Sequence, residues 1–510
     1  MWAKDNSPDS PNIYWLFGSA GSGKSTIAYT IACCFEFAGD SNDAIILGGN
    51  FFCSRQFEET RLSKYIIRTI AYHLALTCKP FADALHRSGN FITKDHSIKT
   101  QIENLLVKPW PWKEPDSAQR RDPSVPPHPD LSVSPLPDPP MPPVNYLIVI
   151  DALDEIDGNG GYGFLRNLLN VVNKHRLPGL KFFVTSWSDP GLVADVDKFE
   201  RKHRYRLQDV NEQEIRHDIA TYINANLPDP LDRSEALVEL SGGLFIYATT
   251  VVKYLETCGR SEQQVFLAEL LPTANSSTPQ SLSDVTSFIL LDRLYLQVLH
   301  QAFREFNPKT PKWVDRLRIL HTFLCTTDRT SASVIADLLF TSNYTDVAEK
   351  LLSHFHAVLY TEDGRVLAYH KSFSDFIFDR ARSGDFWCDQ AMHHRLLTDS
   401  CFRIMKSQLH FNIADISSSF ILDKDNPMLA DSVKMNIPPV LDYSCQNWGY
   451  HLSSAALATP DHLCDTLSDF LEICALFWIE AMNLLGMRGR CEPILRMAQE
   501  WVVKLEVSIL

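Results

Sequence analysis

Basic residues are in deficit in this chain. Lys and Arg number 48 against 62 Asp and Glu, a formal net charge of −14 over 510 residues. A nucleic-acid surface needs a basic face, so no nucleic-acid partner is expected. Paired C-x-x-C motifs are also missing. The 12 cysteines are scattered, some inside apolar helical runs (Cys33, Cys34, Cys474), and read as reduced thiols of a cytoplasmic protein rather than disulfides or zinc ligands. The one local cluster, Cys388, His393, His394 and Cys401, has loose spacing and reads as ordinary helix residues. The N-terminus, Met1-Trp-Ala-Lys-Asp-Asn-Ser7, has no apolar h-region, so no signal peptide is expected. The most apolar late stretch, Leu467 to Leu485, carries Asp469, Glu472 and Glu480 and reads as a packed helix, not a membrane span. No repeat of about 20 to 50 residues is visible, which removes solenoids and propellers.

What is present begins with a core. The chain is 45% hydrophobic and 22% charged, enough to bury a sizeable interior. Its length suggests roughly three or four domains. The organising stretch is Asn12 to Phe35. Ile13-Tyr-Trp-Leu-Phe17 is a short apolar strand, Gly18-Ser-Ala-Gly-Ser-Gly-Lys-Ser25 is a G-x-x-x-x-G-K-S loop, and a helical run follows from Thr26. Glycines let backbone N–H groups curl around a phosphate without Cβ clashes, and the helix N-terminus adds partial positive charge. The residues expected around phosphates are Gly18, Ser19, Ala20, Gly21, Ser22, Gly23, Lys24, Ser25 and Thr26. Lys24 would neutralise the β- and γ-phosphates, and the Ser25 hydroxyl would hold Mg²⁺.

Further along, Ala44–Phe52 reads as a second strand, followed directly by Arg55. Arg61–Thr77 is predicted helical, with Ile66, Ile67, Ile70 and Leu74 on one face, and a further helical stretch ends near Val107. Pro109 to Pro143 then holds 13 of the 29 prolines and reads as a disordered or polyproline surface insertion. Order returns at Tyr146-Leu-Ile-Val-Ile-Asp151-Ala-Leu-Asp154-Glu155. Apolar residues ending in an acid describe a central parallel strand that delivers a carboxylate to the sheet's C-terminal edge, where ligands bind in open α/β sheets. Asp151 would hold Mg²⁺ through water, and Asp154 or Glu155 would polarise the attacking water. An amphipathic helix over Phe164–Lys174, a strand at Lys181–Ser186 and a short strand at Tyr205–Leu207 complete a doubly wound parallel sheet. Asn211 and Glu214 form a capping-box pattern.

The rest reads as helical. An apolar helix starts at Gly242 and runs to Val252, a Ser/Thr/Pro-rich link spans Thr273–Ser283, and Phe288–Phe303 is helical again. Helical patterns at Val314–Leu324, Ser331–Leu339 and Asp346–Phe355 precede a hairpin turning at Asp363-Gly364. Three helices and a hairpin suggest a winged helix. Everything after Phe386 reads as helical.

With these pieces assembled, the chain resembles the NACHT group of STAND nucleotide-binding proteins, closest to the fungal branch with a nephrocystin-type module. Trp15–Ala28, Ile148–Glu155, Gly243-Leu-Phe-Ile-Tyr-Ala248 and His370-Lys-Ser-Phe-Ser-Asp-Phe376 carry the resemblance, with weaker echoes at Phe51–Arg55, Leu291–Leu299 and Tyr443–Trp448. The resemblance implies a nucleotide domain over 1–230, a helical domain over 231–305, a winged-helix domain over 306–385 and a C-terminal helical region over 386–510. It implies closure over ADP, exchange for ATP, self-oligomerisation with protein partners, and a role in fungal nonself recognition and cell death. Lys24, Asp154 and Glu155 would serve hydrolysis, Asp151 and Ser25 the metal, and His370 would reach the ADP β-phosphate. It also leads to the expectation that effector and sensor modules are absent from this chain.

One departure bears on chemistry. Relatives usually follow the fourth strand with an arginine that senses the γ-phosphate; here the sequence is Thr185-Ser-Trp187-Ser-Asp-Pro190. Such an arginine is worth several powers of ten in phosphoryl transfer. Weak ATPase activity is therefore expected, with Arg55 a possible substitute. The competing reading is a nucleotide-indifferent scaffold acting through protein contacts. A GTPase is a poorer fit, because Asn173-Lys-His-Arg176 lacks the aspartate of a guanine-specificity motif.

Overall fold

The computed structural model describes residues 2–5, 10–18, 20–36, 45–89, 97–112, 144–158, 160–175, 177–187, 204–206, 212–227, 234–270, 287–326, 330–339, 344–417, 426–458 and 462–509. The chain divides into two compact units, residues 1–222 with 243–246, and residues 223–242 with 247–510.

The first unit is built on five strands, β1 (Ile13–Phe17), β2 (Ile45–Phe52), β3 (Asn145–Asp151), β4 (Leu180–Ser186) and β5 (Arg204–Arg206). They pair in the order β2-β3-β4-β1-β5, every pair parallel. Every residue of β3 and β4 is buried, as expected for parallel strands covered on both faces. Their side chains alternate strictly. Trp15, Ile148, Ile150, Phe182 and Val184 point to one layer, and Leu16, Leu147, Val149 and Phe183 to the other.

The second of these layers is covered by α1 (Lys24–Glu36), which lays its small residues Ala28 and Ala32 on the sheet. The first is covered by α2 (Ile66–Thr77), α3 (Lys79–Ser88) and α4 (Gly160–Lys174). The predicted helix from Arg61 begins only at Ile66, after a short turn at Ser63–Tyr65. Strand β2 carries Gly48 and Gly49 under α2, and a Cβ at Gly48 would stand 2.9 Å from Leu74 Cδ1.

The proline-rich segment does not begin at Pro109. Trp110 and Trp112 are buried, their rings lie 5.9 and 6.3 Å from that of Tyr146, and Trp110 Nε1 donates to the Pro178 carbonyl at 3.1 Å. Two indoles bury too much apolar surface to be left in water. The remainder, 113–143, lies outside the described residues, as do Asn211, the link over 273–283 and Leu207.

Among its described residues the second unit is helical apart from one hairpin. Helix α5 (Phe245–Thr257) continues out of the first unit, and α6 (Ser287–Phe303) follows. Then come α7 (Pro311–Cys325), α8 (Ala332–Leu339), α9 (Thr345–His354) and the antiparallel strands β6 (Leu359–Glu362) and β7 (Arg365–Ala368). Asp363 and Gly364 both take positive φ at the turn, as an Asp-Gly hairpin requires. Arg382 grips Asp292 with two hydrogen bonds, at 2.9 and 2.6 Å.

The last part packs α10 (Gln390–Gln408), α11 (Pro439–Ser454), α12 (His462–Ile473), α13 (Ala475–Leu484) and α14 (Cys491–Ile509) around Phe402, Trp448, Phe470 and Trp478. The expected single helix over Leu467–Leu485 is two helices that break at Cys474. Phe470 and Trp478, on either side of the break, both reach Trp448. Among the described residues no helix is long and apolar enough to cross a membrane.

Lys181 offers a pH test of the sheet. It is a buried residue of β4 whose amine donates to Ser10 Oγ at 2.8 Å and to the Pro11 carbonyl at 3.2 Å. Burial pushes its pKa down to about 8, against the pull of Asp5. The unfolded lysine titrates near ~10.4, so between these values the unfolded chain holds a proton that the folded one has released. The stability contribution is present above the unfolded pKa and is lost as pH falls through 8. Denaturant titrations from pH 7 to 10 should therefore show wild type gaining on Lys181→Met as pH rises.

Candidate functional site

The site forms at the C-terminal ends of β1, β3 and β4. Strand β1 ends at Phe17, the loop turns through Gly21 (φ 73°) and Gly23 (φ 89°), and α1 starts at Lys24. An L side chain is strained at such φ values, which accounts for glycine at both positions. Gly18 N–H reaches the Ser186 carbonyl at 3.4 Å, so the root of the loop is tied to β4. Ser19 lies outside the described residues. The far side of the loop rests on Gly243–Ile246: Ile246 N–H donates to the Gly21 carbonyl at 3.3 Å, and a Cβ at Gly21 would stand 2.3 Å from Ile246 Cγ2.

Lys24 folds back over its own loop. Its Nζ donates to the Gly18 carbonyl at 3.1 Å and the side chain is buried. Burial lowers its pKa, and the negative charges of Asp154 and Asp151 oppose that.

Asp151 ends β3 and is separated from β1 by β4. Thr185 closes the distance. Its hydroxyl donates to Asp151 Oδ1 at 2.5 Å and accepts the Ala152 N–H at 2.9 Å. The Ser25 hydroxyl also bonds the Asp151 carboxylate. Burial raises the Asp151 pKa and Asp154 adds to the rise, while the Thr185 and Ser25 hydroxyls and Lys24 hold it down. Lys24, Ser25 and Asp151 therefore meet in one place, where an ammonium, a hydroxyl and a carboxylate can address a metal-bound phosphate chain.

Ala152 bends the chain immediately after Asp151. It holds φ 55° and ψ 46°, a left-handed conformation that costs a non-glycine residue about 1–3 kcal/mol. The turn it makes aims Asp154 and Glu155 at neighbouring strand ends. Asp154 Oδ1 accepts the Trp187 N–H at 3.0 Å, and Glu155 Oε2 accepts the Arg55 N–H at 3.1 Å. Arg55 returns the contact, its Nη2 donating to the Asp154 carbonyl at 3.1 Å. Trp187 is half-exposed and brings no charge.

His370 belongs to the second unit. It caps the helix Lys371–Ile377, its Nδ1 accepting the Ser372 N–H at 3.1 Å. Ser372 Oγ lies 2.7 Å from that nitrogen and 2.7 Å from Tyr295 Oη. Two working parts of the first unit were not assigned from sequence, the Thr185 bridge and the seat that Ile246 gives Gly21. Their signals were a strand ending in hydroxyls and the Gly243–Ala248 motif.

Residues 1–113, from the N-terminus through β1, the loop, α1 and β2, match the family model described as Nephrocystin 3, N-terminal. Three solved structures are similar at low identity. A Walker-type ATPase of Pyrococcus abyssi is 12% identical over 73% of this chain and 93% of that chain, with a TM-score of 0.27. Drosophila ORC bound to DNA is 14% identical over 69% and 77%, with a TM-score of 0.26. The Aeropyrum pernix ORC2 protein, in ADPNP–ADP complexes, is 12% identical over 78% and 89%, with a TM-score of 0.27. TM-scores of this size do not establish a common fold across the chain. No curated protein matches it. The glycine loop between β1 and α1, the strand order and the acid ending β3 make the first unit a P-loop NTPase fold.

Gly21→Ala should destabilise the first unit by about 1–3 kcal/mol, through positive φ and the collision with Ile246. Ile246→Ala in the same chain should recover the collision and leave the φ cost. A double-mutant cycle in urea should give a coupling above ~0.5 kcal/mol; strict additivity would mean that the two residues do not touch.

Proposed function

We propose that this chain is an ATP- and ADP-binding molecular switch of the STAND type, built on a NACHT module, with weak ATPase activity. The observation that carries the reading is the meeting of Lys24, Ser25 and Asp151 at the head of a parallel sheet. The donor set fits a magnesium nucleotide. The Lys24 ammonium suits the β- and γ-phosphates, the loop amides from Gly18 to Thr26 suit phosphate oxygens, and Ser25 with Asp151 suits a hard cation. When bound, the nucleotide supplies the transferable phosphoryl group. The chain's own part is to hold it: Thr185 keeps the Asp151 carboxylate oriented, and the Gly21–Ile246 contact keeps the loop in shape.

Weak hydrolysis follows from three features. The carboxylates of Asp154 and Glu155 each accept a main-chain N–H, so polarising a water competes with an existing bond. Trp187 cannot supply a guanidinium, and Arg55, the candidate substitute from the second strand, is tethered to the Asp154 carbonyl. The same features favour a second reading, a scaffold indifferent to nucleotide.

On the switch reading, residues 1–230 form the nucleotide domain, 231–305 the helical domain, 306–385 a winged helix and 386–510 a C-terminal helical region. Three helices followed by a hairpin support the third assignment. His370 would contact the ADP β-phosphate from the winged helix. ADP would favour a closed form and ATP an open one that self-associates and engages protein partners, in cytoplasmic signalling of fungal nonself recognition and cell death. A ligand shifts such an equilibrium only by its differential affinity for the two states.

Thermal shift separates the readings. Ligand at about 100 times its dissociation constant adds ~2.7 kcal/mol to stability. ADP with Mg²⁺ should raise the melting temperature of wild type by several degrees and leave Lys24→Ala unmoved. Identical responses in both proteins would favour the scaffold.

A further inference from the structure

The second unit holds a side-chain cluster that nucleotide binding leaves unused. His321 and Cys325 stand four residues apart on α7 and so share a helix face. Cys388, just before α10, and His393, in its first turns, come to the same place. One ligand atom each from His321, Cys388 and His393 lies within 4.8 Å of the others. The Cys325 and Cys388 sulfurs are 3.9 Å apart. All four residues are buried, none more than 7% exposed.

The protonation pattern suits a cation. His321 Nε2 lies 3.1 Å from the Phe386 carbonyl, which can only accept, so Nε2 carries the hydrogen and Nδ1 keeps its lone pair. His393 Nε2 is engaged by the Thr322 hydroxyl at 2.9 Å. Metal-binding imidazoles are commonly oriented by such a partner on the other ring nitrogen.

We propose that His321, Cys325, Cys388 and His393 form a structural Zn²⁺ site. Two sulfurs at tetrahedral corners, each ~2.3 Å from zinc, would lie roughly 3.8 Å apart, close to the 3.9 Å found here. Two thiolates and two neutral imidazoles are a zinc set and cancel the dication's charge, which suits a buried position. On binding, each thiol loses its proton to solvent and each sulfur forms a bond to the metal; nothing is oxidised. A groove of about 640 Å³, lined by His321 and His393 together with Arg318, Asp389 and Met392, gives an ion access. The site would pin the end of α7 to the start of α10.

The local run Cys388, His393, His394 and Cys401, read from sequence as ordinary helix residues, divides between two places. Cys388 and His393 meet His321, and Cys388 also meets Cys325, whereas His394 Nδ1 pairs with His451 Nδ1 at 2.9 Å and Cys401 belongs to the core around Trp448.

The test is the metal content of the purified full chain, measured by mass spectrometry without chelator. About one zinc per chain is expected, falling at least fivefold in Cys388→Ser with His393→Asn and unchanged in Cys401→Ser. Because the double variant could fail to fold, wild type is also stripped and titrated with Co²⁺. A tetrahedral cobalt–thiolate absorption that Zn²⁺ abolishes is expected, and two thiols should become reactive only after chelation. A metal-free chain with no cobalt band would overturn the proposal. So would two thiols released by reductant rather than chelator, since that marks a Cys325–Cys388 disulfide.

Discussion

A buried ammonium governs the head of the sheet. Lys24 is almost out of water, and an ion moved there loses several kcal/mol of hydration unless charge and dipoles replace it. The replacement comes from the Gly18 carbonyl and from the fields of Asp154 and Asp151. Those acids come from the end of β3 and the turn after it, two places from β1, so the lysine depends on the strand order for its counter-charge. Thr185 fills the intervening place on β4 and turns the gap into a chain of hydrogen bonds from Asp151 to the bend at Ala152. An alanine held at φ 55° persists because the surrounding bonds over-determine it.

That arrangement separates holding from cutting. The groups suited to phosphate and metal lie together and are kept in place by second partners. The groups suited to water activation are spent on structure: Asp154 and Glu155 staple the ends of β4 and β2 to the bend. A chain built this way would retain nucleotide better than it consumes it, which is the property a switch needs and a fast hydrolase does not. Burial raises the Asp151 pKa, and a cation bound beside it would oppose that rise.

Much of the first unit could be read from sequence because its signals are local. Apolar runs of the right length marked β1 to β4, a short run at Tyr205–Leu207 overlapped β5, and the glycine spacing gave the loop. What escaped depended on distant partners. Nothing local in Thr185 says that its neighbour across the sheet is Asp151, since pairing register links residues more than thirty positions apart. Trp110 and Trp112 were hidden by prolines, because composition averages over the point where the chain leaves the core. The break at Cys474 was missed since both flanking helices are apolar and continue one periodicity. The histidine–cysteine cluster failed for the same reason as Thr185: half of its members lie on another helix.

The most direct test is to denature the purified protein and identify what it releases. The account predicts close to one adenine nucleotide per chain from wild type, chiefly ADP, and at least tenfold less from Lys24→Ala prepared identically. Equal amounts from both proteins, or none from wild type after purification in Mg²⁺, would contradict it.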